Sequence, residues 1–256
     1  MARTPALIVA IKEPRNPDEY CFAQRLLYLA ESMCDTSQAS CKLGRSGAEI
    51  PYPLLVATIL HAASRGDKVE GWIRVQGEQQ ALAALQTVLR REKELAFQVV
   101  AETKHNILVK ILIPLNKWCG GCRFCPHIDT LPNTMPVSIV LTSQYIVFSL
   151  IASRPQVLRQ MEDLGFRILD ALPVTEYEDP LTSKQEIALV LAYLYGYYAH
   201  PRRTSIRELA SKLGMSGSAL AELLRKAELK VIKNYVIGNL AHHIYLTIRQ
   251  KAQEAD

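Results

Sequence analysis

The chain has 256 residues, enough for one large or two ordinary domains, and its composition of 49% hydrophobic and 21% charged residues excludes general disorder. The net charge of +5 lies wholly at the C-terminal end: from Leu181 onward eleven Lys and Arg face six Asp and Glu, while the rest balances. Ala6–Ile11 is too short for a secretory leader, and the later apolar runs are broken by Lys110, Pro114, Ser143 and Gln144 before the ~20 residues a membrane span needs, so a cytoplasmic protein without a membrane partner is expected.

The N-terminal part alternates in pattern. Ala6–Lys12 predicts a strand, and Phe22, Leu26, Leu27 and Leu29 give an apolar stripe to a helix over Asp18–Ser32. A second helix is expected over Tyr52–Arg65, then a strand at Gly71–Gly77 and a helix at Glu78–Glu94. Two strands follow, Ala96–Glu102 and Asn106–Ile113. Beyond a loop rich in Cys and Pro, Val137–Leu141 and Tyr145–Ile151 predict a hairpin, Pro155–Leu164 a helix ended by Gly165, and Phe166–Val174 a closing strand. The order βαββ, loop, ββαβ predicts an α+β fold, an antiparallel sheet with helices on one face, over residues 1–178. That part is read as a sensor domain, with Glu176–Pro180 as the linker behind it.

The loop carries Cys119-Gly-Gly-Cys122-Arg-Phe-Cys125-Pro126-His127. Three thiols at three-residue spacing, with two glycines relaxing the backbone, can converge on one centre. Iron–sulfur loops of this type carry a further Cys after three residues, whereas position 129 is Asp. A fourth ligand must then come from His127, Cys21, Cys34 or Cys41. The spacing fits an iron–sulfur cluster, a structural zinc, or a redox thiol or disulfide, and does not choose among them.

The C-terminal part, 181–235, reads as a helix-turn-helix. Thr182 with Gln185, and Ser205 with Glu208, are capping boxes that open two helices. Ile187, Val190, Leu191, Leu194, Tyr195 and Tyr198 give the first an apolar face, and Pro201 closes it. Ile206, Leu209, Ala210 and Leu213 point inward on the second, which Gly214 stops. Ser216 caps a third helix with Leu220, Leu223, Leu224, Ala227 and Val231 apolar. The short Gly214–Ser216 connection fixes the angle between the last two helices, as in DNA-reading pairs.

Leu181-Thr-Ser-Lys-Gln185, Ala192-Tyr193, Gly196-Tyr197-Tyr198, Pro201-Arg202-Arg203, Glu208-Leu209-Ala210, Leu213-Gly214-Met215-Ser216 and Leu224-Arg225-Lys226-Ala227-Glu228 resemble the C-terminal domain of the archaeal bacterio-opsin-activator-like regulators. That family's helix-turn-helix is similar to region four of bacterial sigma factors. The resemblance implies an archaeal, cytoplasmic transcription regulator. The family usually has a basic residue where this chain has Gly217.

Residues at the start of a recognition helix face base edges, which selects Ser216, Ser218, Ala219 and Glu222, with Gly217 and Ser205 also counted among the DNA-binding residues. Arg202, Arg203, Thr204, Arg225 and Lys226 are placed to hold phosphates of double-stranded DNA. The tail, 236–256, continues a helical pattern from Val231 through Tyr235, Ile237, Leu240, Ile244 and Ile248, and suits either a homodimer reading paired half-sites or packing back onto the N-terminal domain, the homodimer being the expectation. The chain has no phosphate-binding glycine loop, H-E-x-x-H pair or nucleophile elbow, so no enzyme is expected. The function expected is a sequence-specific transcriptional regulator controlled at the Cys-rich loop. The rivals are a basal partner of the transcription machinery that binds promoters generally, and a thiol-redox enzyme.

Overall fold

The computed structural model describes residues 5–14, 20–34, 40–43, 48–51, 53–118, 134–152, 155–174 and 180–240. They divide into two compact units, one running to Leu172 and the other spanning Pro173–Leu240. No helix among the described residues is long and apolar enough to cross a membrane.

In chain order the first unit comprises β1 (Ala6–Lys12), α1 (Phe22–Glu31), β2 (Ser40–Leu43), β3 (Ala48–Pro51), β4 (Leu55–Arg65), β5 (Lys68–Gly77), α2 (Gln79–Arg91), β6 (Ala96–Glu102), β7 (Asn106–Pro114), α3 (Leu115–Trp118), β8 (Thr134–Leu141), β9 (Ile146–Ala152), α4 (Pro155–Asp163) and β10 (Arg167–Pro173). Eight strands form one sheet in the order β10-β1-β9-β8-β4-β5-β7-β6, and the six pairings from β1 across to β6 are antiparallel. The α+β architecture expected from the pattern is therefore present. Its connectivity is less simple than two mirrored units. Strands β1, β8, β9 and β10 with α1 and α4 form a βαββαβ unit of ferredoxin-like order, in which β9 lies between β1 and β8. The chain between α1 and β8 is an insertion, and its β4, β5, β7 and β6 extend the same sheet from the β8 edge. Strands β2 and β3 pair separately, Ser40 opposite Pro51.

Apolar positions explain the layers. Leu26 and Leu27 of α1, Leu82, Leu85 and Leu89 of α2, and Val157 and Met161 of α4 close on Ile73, Val75, Val109, Ile111 and Phe148 of the sheet. On β1 every residue from Leu7 to Ile11 is buried, because a smaller cluster of Val9, Ile11, Tyr145 and Val147 lies apart from that core. A strand covered on both faces reads as a continuous apolar run rather than an alternation.

The helix expected over Tyr52–Arg65 is instead β4. Its Leu and Ala content favours a helix, but Ala57 pairs with Val75 on one side and Leu141 on the other, so its place in the sheet overrides local preference. Strand β5 starts at Lys68, three residues earlier than expected, because the two-residue Gly66-Asp67 turn pairs Arg65 with Lys68.

Glu31, at the end of α1, joins three elements: it accepts hydrogen bonds from the Leu55 amide, at 2.9 Å, and from the Ser143 hydroxyl in the β8–β9 turn. Burial raises its pKa, against the lowering effect of those two hydrogen bonds. A carboxyl whose folded pKa exceeds its unfolded value binds its proton more tightly in the native state. The resulting stability is complete below the unfolded pKa and is lost as pH rises through the folded one. Thermal melts at pH 5 and pH 7 should therefore show the wild type gaining on acidification relative to Glu31→Gln. That variant keeps an acceptor for Leu55 and has no charge to bury. Parallel pH dependences in the two proteins would contradict this assignment.

Candidate nucleic-acid interface

The second unit comprises α5 (Ser183–Leu194), α6 (Ile206–Lys212) and α7 (Gly217–Asn239). Both capping boxes form. The Thr182 hydroxyl accepts from the Gln185 amide while the Gln185 side chain accepts from the Thr182 amide. Ser205 and Glu208 do the same for α6. Ser216 caps α7 by accepting from the Ala219 amide at 3.2 Å.

The turn between α6 and α7 hangs on Gly214, whose φ of +63° is a left-handed value that a β-carbon disfavours. It lets Met215 donate to the Ala210 carbonyl and Gly214 to Ser211, which satisfies the last carbonyls of α6. The same closure ends α5 at Gly196, with Tyr197 donating to Ala192. Helix α5 thus stops at Leu194, ahead of the position where Pro201 was expected to close it.

The core differs from the expected one on α5. Ala188, Ala192, Leu209, Ala210, Leu220 and Leu224 are buried together, with Leu191, Ile206, Leu213 and Leu223 half-buried around them. Ile187 and Leu194, expected inward, are 57% and 69% exposed, and Val190 is exposed too. Nearly every side of α5 is apolar, so periodicity could not choose a face. The alanine side packs because small residues let helices cross closely. Val231 is likewise exposed on α7. That helix runs unbroken past Tyr235 to Asn239, so no break marks the expected start of the tail, and 241–256 lie outside the described residues.

The candidate DNA contacts fall into three groups. Ser216, Ser218, Ala219 and Glu222 are exposed at the opening of α7, with Gly217 half-buried among them. The Ser216 and Ser218 hydroxyls lie 3.2 Å apart, and Glu222 pairs with Lys226 one turn on, at 2.6 Å. That lysine holds the Glu222 carboxyl below its ordinary pKa. Arg225 is exposed on the same helix.

A second group is occupied by the fold. Thr204 is buried and its hydroxyl donates to Glu208 at 3.3 Å, while Ser205 is the α6 cap. Hydrogen bonds from the Ser205 amide and hydroxyl and from Thr204 lower the Glu208 pKa. The third group is stacked. The Arg202 guanidinium lies 4.6 Å from the Tyr197 ring centroid, and Lys212 stands 4.1 Å from that of Tyr195. Arg203 packs its stem against Gly196. Sequence pattern did not single out this tyrosine framework or Lys212; the signal was three tyrosines, Tyr195, Tyr197 and Tyr198, followed closely by Arg202 and Arg203.

Of the metal candidates, Cys119, Cys122, Cys125 and His127 lie outside the described residues, as does the side chain of Cys41. Cys21 is buried at the start of α1, where its sulfur accepts from the Gln24 amide. Cys34 is half-buried and its thiol is pushed up in pKa by burial and then by the Glu31 charge, which disfavours the thiolate a metal needs. Among the described residues no three His, Cys, Asp or Glu side chains group to hold a metal.

Residues 181–233 match a family model described as an HTH DNA binding domain. The chain is also 47% identical over 51 residues to a dimethyl sulfoxide reductase transcriptional activator of Haloferax volcanii. That alignment covers 20% of this chain and 24% of the relative, so the chain spans about a quarter of the length of the curated protein it matches. The capped helices, the Gly214 turn and the matched residues coincide: 181–233 are a helix-turn-helix DNA-binding domain of the bacterio-opsin-activator type.

Proposed function

We propose that the protein is a sequence-specific transcriptional regulator acting in the cytoplasm, in which α7 reads the major groove of duplex DNA. The observation that carries this reading is the exposure of Ser216, Ser218, Ala219 and Glu222 at the opening of α7, set on a domain matched as DNA-binding. A homodimer is part of the proposal, supported by the apolar residues that α5 and α7 leave exposed, Ile187, Leu194, Leu229 and Ile232 among them. The first unit is assigned the sensing role, through an iron–sulfur cluster or zinc at Cys119, Cys122 and Cys125. The support for that part is the thiol spacing in the sequence.

The test uses full-length protein purified without oxygen and assayed for iron and zinc. Duplexes are selected from a random pool and titrated against salt. Enrichment of one inverted-repeat sequence is expected. Enrichment of none would leave a general promoter-binding role and remove sequence specificity. Arg225→Ala should weaken binding to all sequences and reduce the salt slope by about one, as loss of a phosphate contact does; an unchanged slope would remove Arg225 from the interface. Identical affinity for oxidised, reduced and chelator-treated protein would remove the sensing role and leave the DNA-binding one standing.

A further inference from the structure

The loop between α5 and α6 carries a cation with no carboxylate partner among the described residues. Arg202 is exposed, and its guanidinium is held 4.6 Å from the Tyr197 ring centroid. A guanidinium over a tyrosine face is attracted by the ring's quadrupole and keeps its N–H donors for another partner. Behind it the contacts continue. The Tyr197 ring meets that of Tyr198 edge-on, with centroids 5.1 Å apart and planes at 75°. The Tyr198 hydroxyl then donates to the carboxylate of Glu228, on α7. The series Arg202, Tyr197, Tyr198, Glu228 thus runs from the loop to the helix that carries the recognition residues.

The rest of the loop holds that series in place. Its neck is closed where the Arg203 amide donates to the Gly196 carbonyl at 3.0 Å. The Arg203 stem fills the space at Gly196, where a β-carbon would come within 2.9 Å of it. Tyr197 packs against the buried cluster of the domain. Burial, and then the hydrogen bond to Glu228, raise the Tyr198 pKa, so the phenol keeps the proton it donates.

We propose that Tyr198 is a positioning residue of the DNA interface: by joining Glu228 of α7 to the Tyr197–Arg202 stack, it holds Arg202 in fixed register with the recognition helix, so that both meet the same duplex at once. Arg202 takes a backbone phosphate, a contact that orients the protein and reads no base. The inference rests on the DNA-binding reading, and the test separates the two.

Full-length protein is titrated with a labelled mixed-sequence duplex at several salt concentrations, alongside a thermal melt of each variant. Arg202→Ala is expected to bind about tenfold more weakly at low salt, with a salt slope reduced by about one. Tyr198→Phe keeps the ring contact and loses the hydroxyl; it should bind about fivefold more weakly, the worth of one hydrogen bond, with a melt close to that of the wild type. Glu228→Gln keeps an acceptor for the hydroxyl and should bind at least as tightly as the wild type. In the Arg202→Ala background Tyr198→Phe should cost nothing further, because its effect passes through that arginine. A tyrosine that only supports the fold would cost the same factor in both backgrounds, and that result would overturn the inference. Wild-type affinity in Tyr198→Phe or in Arg202→Ala would overturn it too, with DNA binding left standing. A wild type that binds no duplex at any salt would overturn the DNA-binding reading itself and this inference with it.

Discussion

Trp118→Ala should lower the stability of the first unit by about 3–5 kcal/mol, the usual cost of emptying a buried tryptophan site. Trp118 closes the one-turn helix α3 and is only 7% exposed. Its ring lies against Gly71 of β5, where a β-carbon would come within 2.9 Å of Cη2. Glycine at 71 is thus the floor of a slot shaped for the indole. The reverse change follows from the same geometry: Gly71→Val presses into the ring and should cost about 1–3 kcal/mol through overpacking. Combining the two relieves the clash, so the double variant should be more stable than the sum of the single losses implies. Denaturant unfolding of the full chain, followed by the first transition, checks all three. Strict additivity would mean that the ring and Gly71 do not share the slot.

The second large effect belongs to the DNA-binding unit. Leu209 is fully buried on α6, in a cluster with Ala188 and Ala192 of α5 and Leu220 and Leu224 of α7. Leu209→Ala should cost about 2–5 kcal/mol. A core this small supplies only about 3–5 kcal/mol in all, so the unit should lose its fold, and DNA binding with it, at ordinary temperature. Leu209→Met, which conserves volume, should cost less than about 1.5 kcal/mol and keep DNA binding. Circular dichroism melts of the full chain alongside a duplex titration separate these outcomes. Normal DNA affinity in Leu209→Ala would show that α6 is not held by this leucine.

The parts legible in the sequence were those specified by neighbours in the chain. Both capping boxes, the Gly214 stop and the Ser216 cap depend on residues no more than five apart, and each is where the pattern placed it. What failed depended on distant partners. Strand β4 looks helical until Ala57 is seen between Val75 and Leu141, although Gly66-Asp67 between two apolar runs was a local hairpin signal. The buried side of α5 was illegible because its alanines meet Leu209 and Leu220 from other helices. At the candidate interface, residue type alone could not separate Thr204, which is buried with its hydroxyl on Glu208, from Arg225, which is exposed.

The order of strands carries a consequence for biosynthesis. Strand β1 emerges from the ribosome well before β9, yet it pairs with β9 from Ala6 opposite Ala152 to Lys12 opposite Ile146. The inserted strands β4 to β7 find one another among near neighbours and can close while the rest is still being made. Synthesis at roughly 5–20 residues per second keeps β1 waiting for several seconds at least. Through that interval its apolar run is a nascent sticky strand, vulnerable to pairing with another chain. A stalled chain lacking Ile146–Ala152 would be a substrate for quality control, however well its middle had folded.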